Sequence, residues 1–162
     1  MIKPKTNAQN YVSSVEIAEG IYWVGFYDTQ SGLHCNPYLI LDHDEALVID
    51  GGSRPDFASV MMKIMQTGIA PKQIQALVYQ HYDPDLCGSI PNFEDIIRRE
   101  DLKIISAAEN LMFIRHYSVA SRLVSLKKAP SAVRRNGTVA ALRPEPSPAG
   151  RIGPGRRRPA IT

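Results

Sequence analysis

At 162 residues, with 44% hydrophobic and 22% charged residues, the chain has the size and balance of one globular domain that buries a core without cross-links. Two cysteines, Cys35 and Cys87, exclude a disulfide scaffold, and no apolar run approaches the roughly 18 residues of a membrane helix. The net charge of +3 is split, because residues 129–162 hold seven Arg and a single acid, Glu145, leaving −3 over residues 1–128.

In chain order, Met1 to Asn10 is polar and lacks the apolar core of a signal peptide, so a reduced, cytoplasmic setting is expected. Val15–Ile17 and Ile21–Phe26 are rich in β-branched and aromatic residues around Glu19-Gly20, and they predict a hairpin. Tyr38–Leu41 and Ala46–Ile49 predict a second strand pair around the polar turn Asp42 to Glu45, closed by Asp50-Gly51-Gly52. Ser53 is the expected N-cap of a helix with Pro55 in its first turn. Its apolar face is Phe57, Val60, Met61, Ile64 and Met65, and Gly68 ends it. Ala76–Tyr79 predicts a short strand that runs into His81-Tyr82-Asp83-Pro84-Asp85-Leu86-Cys87-Gly88. Pro91 and Asn92 open a helix with the face Phe93, Ile96 and Ile97. Lys103–Ser106 predicts a strand, Glu109–His116 a helix and Ser121–Leu126 one more strand. Hairpins followed by alternating helices and strands imply an α+β domain in which antiparallel strands pass into a helix-covered sheet.

Residues at i, i+2 and i+4 of an extended loop lie on one side, so His81, Asp83 and Asp85 are candidate metal ligands. One imidazole with two carboxylates suits a first-row ion and favours iron or manganese over a thiolate-type zinc site, with zinc still open. Pro84 stiffens this loop and Gly88 permits close backbone approach. A merely solvated polar turn after a strand would contain the same residue types.

The loop resembles the metal motif of the metallo-β-lactamase superfamily, a His, then an acid or His, then Asp and Gly following a strand, here His81, Asp83, Asp85 and Gly88. Asn36 to Ile40 and Val48 to Gly52 are similar to that superfamily's early strand pair and Asp-Gly turn, and the resemblance covers about residues 14–117. It implies an αββα sandwich of which this chain supplies only the N-terminal half. The acid at Asp83 is similar to the flavodiiron proteins and to stand-alone oxygen-binding diiron relatives. That likeness implies His81 and Asp83 on one iron and Asp85 on a second. Dioxygen or another small molecule would be the ligand, and any electron donor a separate protein. Leu86, where hydrolases of the superfamily carry His, disfavours the alternative of a metal-dependent hydrolase.

The resemblance also implies later ligands, the first near residues 145–150, where the sequence offers only Glu145. The four histidines are His34, His43, His81 and His116; the first two are expected in loops, and His116 on a helix surface. At most one ion is therefore expected, and a fragment with little metal binding is the other alternative. The expected organisation is an extension over 1–13, a partial domain over 14–128 and an irregular basic tail over 129–162. Six prolines and seven arginines give that tail the composition of a GC-rich gene read out of frame. Nucleic-acid binding is disfavoured because the tail has no aromatic residues for stacking. An under-covered apolar sheet face should favour oligomers.

Overall fold

The computed structural model describes residues 12–28, 32–118 and 120–126. The expected tail over 129–162 and most of the extension over 1–13 lie outside these residues. Nine strands and four α-helices are described: β1 (Val15–Ala18), β2 (Ile21–Trp23), β3 (Phe26–Asp28), β4 (Leu33–Cys35), β5 (Tyr38–Asp42), β6 (Glu45–Ile49), α1 (Phe57–Gln66), β7 (Ile74–Val78), α2 (Pro84–Cys87), α3 (Ile90–Ile97), β8 (Lys103–Ser106), α4 (Ala108–Ile114) and β9 (Arg122–Ser125). Seven strands form one sheet in the order β1-β2-β5-β6-β7-β8-β9, and β3 pairs with β4 separately.

Strand β6 divides the sheet. To one side, β5, β2 and β1 each run antiparallel to the neighbour before them, while β7, β8 and β9 run parallel to β6 and to one another. Parallel neighbours need a crossover, which α1, α3 and α4 supply in turn. The pairing register carries one apolar row across the sheet: Tyr22 opposite Leu39, then Val48, Leu77, Ile104 and Leu123. This row meets Val60, Met61 and Ile64 of α1, Ile90, Phe93 and Ile97 of α3, and Ile114 of α4 in a single core. Because side chains alternate, the neighbouring row Trp23, Tyr38, Ile49, Val78, Ile105 and Val124 lies on the opposite face.

Several local expectations are corrected. The predicted strand Ile21–Phe26 breaks after Trp23, and Phe26 starts a second hairpin. Gly25 sits at the break, where a Cβ would come within 2.0 Å of the Cys35 carbonyl oxygen. His34 therefore lies on strand β4, while His43 is in the expected turn, paired with Asp42 at 2.8 Å. Ser53 does not cap α1: its amide and hydroxyl both donate to Asp56 in a preceding turn, and the helix starts at Phe57. Met65 is 54% exposed, and Lys63 is buried in its place. The Lys63 ammonium donates to the Gly25 carbonyl and sits 4.9 Å from the centre of the Trp23 ring, which offsets the loss of water around a buried charge. Likewise α3 begins at Ile90, so Ile90 takes the buried position while Ile96 faces solvent.

Candidate metal site at the end of the central strands

Strands β6, β7 and β8 end side by side, and their exits carry the polar residues of the site. Asp50 leaves β6 with a left-handed backbone, φ 52°, a conformation that Asp tolerates better than most residues. Both of its carboxylate oxygens accept from Gln80 at the exit of β7, one from the backbone amide at 3.0 Å and one from the side-chain amide at 2.8 Å. The Gln80 and Tyr79 carbonyls are held as well: Asn110 donates to Gln80 at 3.0 Å, and the Ser106 hydroxyl donates to Tyr79 at 2.6 Å. The Cys87 thiol donates to the carbonyl of His81 at 3.1 Å. The strand exit just before His81 is thus fixed from β6, β8 and α4 together.

His81 and Asp83 come together, with Nδ1 and a carboxylate oxygen 3.1 Å apart and both side chains about half exposed, 51% and 54%. Asp83 occupies the N-cap position of α2 without capping it by its side chain, which leaves that carboxylate for His81. Asp85 follows a different course. Pro84–Cys87 is one helical turn with Pro84 in its first positions, so the side-to-side alternation of an extended loop stops at Asp83. Asp85 instead acts electrostatically on Cys35, Cys87 and Asp50. Gly88 closes the turn where a Cβ would lie 2.6 Å from the Pro84 carbonyl oxygen, the close approach read from the sequence.

Burial raises the Asp50 carboxyl above its ordinary range, with Asp85 adding to the rise and the two Gln80 donors opposing it. Burial, with neighbouring carboxylates, pushes the thiols of Cys35 and Cys87 up to about 12. Both are therefore protonated at neutral pH, and neither offers the thiolate that nucleophilic attack requires. In folded protein at pH 7 neither thiol should react with iodoacetamide within minutes, whereas both should react in urea. Rapid stoichiometric labelling of the native state would contradict this placement.

The donor set is thus one imidazole and one carboxylate in contact, with the Asp85 carboxylate following in the first turn of α2. Among the described residues no three His, Cys, Asp or Glu side chains gather into a group that could hold a metal ion. The sequence after His116 contains no His, Cys or Asp, and Glu145 is its only acid. These residues do not fit a two-ion centre, and they fit a single weakly held ion only through His81 and Asp83. His116 lies in the turn after α4 and is exposed. Sequence reasoning missed Asp50, Gln80, Ser106 and Asn110. The Asp-Gly-Gly turn signalled a special backbone at Asp50 but not its partner.

No curated protein sequence matches the chain. Among solved structures it is similar to the rubredoxin oxygen:oxidoreductase of Desulfovibrio gigas, at 21% identity and a TM-score of 0.59, covering 70% of this chain and 31% of that one. It is also similar to the metallo-beta-lactamase GOB-18 of Elizabethkingia meningoseptica, at 19% identity and a TM-score of 0.53, covering 77% and 48%. A Cronobacter sakazakii metallo-beta-lactamase with the HARLDQ motif matches at 18% identity and a TM-score of 0.52, covering 61% and 36%. The chain therefore spans less than half the length of each of these, and the likenesses concern the fold: a mixed α+β sheet of metallo-β-lactamase type. The family model described as ODP family beta lactamase matches residues 33–144, most of the chain, and this protein belongs to that family.

Proposed function

We propose that this chain is a metal-binding protein of the oxygen-binding diiron type, reduced here to a loop that takes at most one ion, iron foremost, with manganese or zinc as substitutes. The reading rests above all on the His81–Asp83 pair at the exit of β7, 3.1 Å apart and open to solvent. It is supported by the similarity to a rubredoxin oxygen:oxidoreductase, a solved relative whose name includes oxygen chemistry. His81 and Asp83 would hold the ion, with Asp85 as the third candidate ligand. Iron in that place would supply the one-electron chemistry that dioxygen requires. A separate protein would deliver the electrons. Hydrolysis of the lactamase kind is the second reading, favoured by the names of other solved relatives. It is weakened by Leu86, which gives no ligand where hydrolases of this superfamily use His.

Metal analysis of purified protein, reconstituted anaerobically with ferrous iron, tests the proposal. Wild type should hold no more than one ion per chain and release it to a chelator. His81→Ala should lose most of that binding, because it removes the only nitrogen ligand of the pair, while His116→Ala should leave it unchanged. Two tightly held ions, or equal loss in both variants, would overturn the reading, and so would wild type that takes up no metal.

A further inference from the structure

Helix α4 touches the metal loop in two independent ways. At its start, Asn110 donates through Nδ2 to the Gln80 carbonyl at 3.0 Å and to the Ser106 hydroxyl at 3.2 Å. Ser106 is itself fully buried and donates onward to the Tyr79 carbonyl. One turn later Phe113 stacks on Tyr82, with ring centroids 4.3 Å apart and planes 25° from parallel. Tyr82 in turn stacks on His81 at 4.6 Å and 20°. Three near-parallel rings therefore run from the surface of α4 to the imidazole, while Asn110 fixes the backbone just before it.

The ring contact is not what stability alone would select. Phe113 is 41% exposed and Met112 beside it 59%, so this end of α4 adds little to the core, to which the helix contributes Ile114. His81 is half exposed and, apart from Asp83, its ring is held by the face of Tyr82. An exposed imidazole on a loop would otherwise sample several rotamers. Stacking between two aromatic planes and a fixed backbone removes most of that freedom, and ligands positioned beforehand bind metal more tightly.

We propose that α4 sets the orientation of the His81 imidazole, with Asn110 and Phe113 as positioning residues. This rests on the reading of His81 as the metal-loop imidazole, so the primary test uses metal-free protein. The readout is the proton NMR spectrum of the imidazole rings, with the His81 signals assigned by their loss in His81→Ala. In wild type, the ring current of Tyr82 should hold the His81 carbon-bound protons upfield of an exposed histidine. Phe113→Leu keeps an apolar side chain but breaks the stack, and Asn110→Ala frees the Gln80 carbonyl. Each should move the His81 signals towards exposed values, leave those of His34 and His43 in place, and change the melting temperature by only a few degrees. Phe113→Tyr, which retains the ring, should restore the wild-type shift. His81 signals unmoved in both Phe113→Leu and Asn110→Ala would overturn the proposal. So would movement in Phe113→Tyr equal to that in Phe113→Leu. A ferrous iron titration of the same variants should then show about tenfold weaker binding, the usual effect of losing a partner that orients a ligand. If wild type binds no iron, the functional reading fails while the NMR result on orientation stands.

Discussion

Gly51→Ala should cost the fold about 3 kcal/mol, the upper end of what overpacking a core costs, and lower its melting temperature by roughly 6–12 °C. A Cβ at this position would lie 2.6 Å from the Ser89 hydroxyl oxygen, 2.8 Å from a ring carbon of Phe93 and 2.9 Å from the Tyr79 hydroxyl oxygen. None of the three can retreat into solvent, because all are at most 1% exposed. Phe93 is also held edge-on by Phe57, with centroids 4.9 Å apart. The backbone cannot withdraw cheaply, since the Gly51 amide donates to the Leu86 carbonyl at 3.1 Å and joins the β6 exit to α2. Gly68→Ala is the contrasting case. It has nothing within 4 Å, and the strain of its φ of +89° should cost only about 1 kcal/mol. Urea and thermal melts of the two variants side by side provide the check. A Gly51→Ala protein as stable as wild type would mean that Phe93 and Tyr79 are less firmly placed than described.

The second large effect is expected at Asp50. Asp50→Ala removes both acceptors of Gln80 and puts Ala into a left-handed backbone at φ 52°, together costing about 3 kcal/mol. Asn accepts that backbone, and its carbonyl oxygen can still take the Gln80 amide, so Asp50→Asn should stay within about 1 kcal/mol of wild type. Acidity separates these cases further. The folded carboxyl has its pKa raised above the ordinary value of 3.8, chiefly by burial, so the folded state keeps its proton longer than the unfolded chain does. The stability contributed by the protonated acid is complete below the ordinary value and is lost as pH rises through the folded one. Asp50→Asn has no such group, so its stability relative to wild type should improve as pH rises from the acid range to neutrality. A relative stability that instead declines with pH would show that the Gln80 donors outweigh burial and that the carboxyl is depressed.

Much of the architecture could be read from the chain because strand and helix periods are strong where one face is buried. The two strand pairs, the amphipathic stretch from Phe57 and the strands at Ala76 and Lys103 all lie where β-branched or spaced apolar residues put them. The misplacements share a cause. Local preference alone favours Ser53, Met65 and Ile96, whereas a turn closed by Ser53 on Asp56 delays the start of α1, and tertiary contacts bury Lys63 against Trp23 and bring Ile90 inside. The site was legible only in part. His81 and Asp83 meet as their spacing suggested, but Pro84 starts a helical turn instead of merely stiffening a loop, so Asp85 sits on helical and not extended backbone. The residues that hold the loop come from β6, β8 and α4, and no spacing within a single segment announces partners about 30 positions away.

The order of the main sheet bears on how the chain is made. From β1 to β9 its strands lie side by side in the order of synthesis, with only the β3–β4 hairpin set aside. No strand has to be inserted between two that are already paired. As the chain leaves the ribosome, β5 and β6 can close locally into a hairpin. Each later strand then adds to the one open edge left by its predecessor, after a crossover helix has covered the face beside it. A nascent chain of this kind gains a little more buried surface with every β-α unit and keeps a single growing edge, so assembly runs in one direction from the amino terminus.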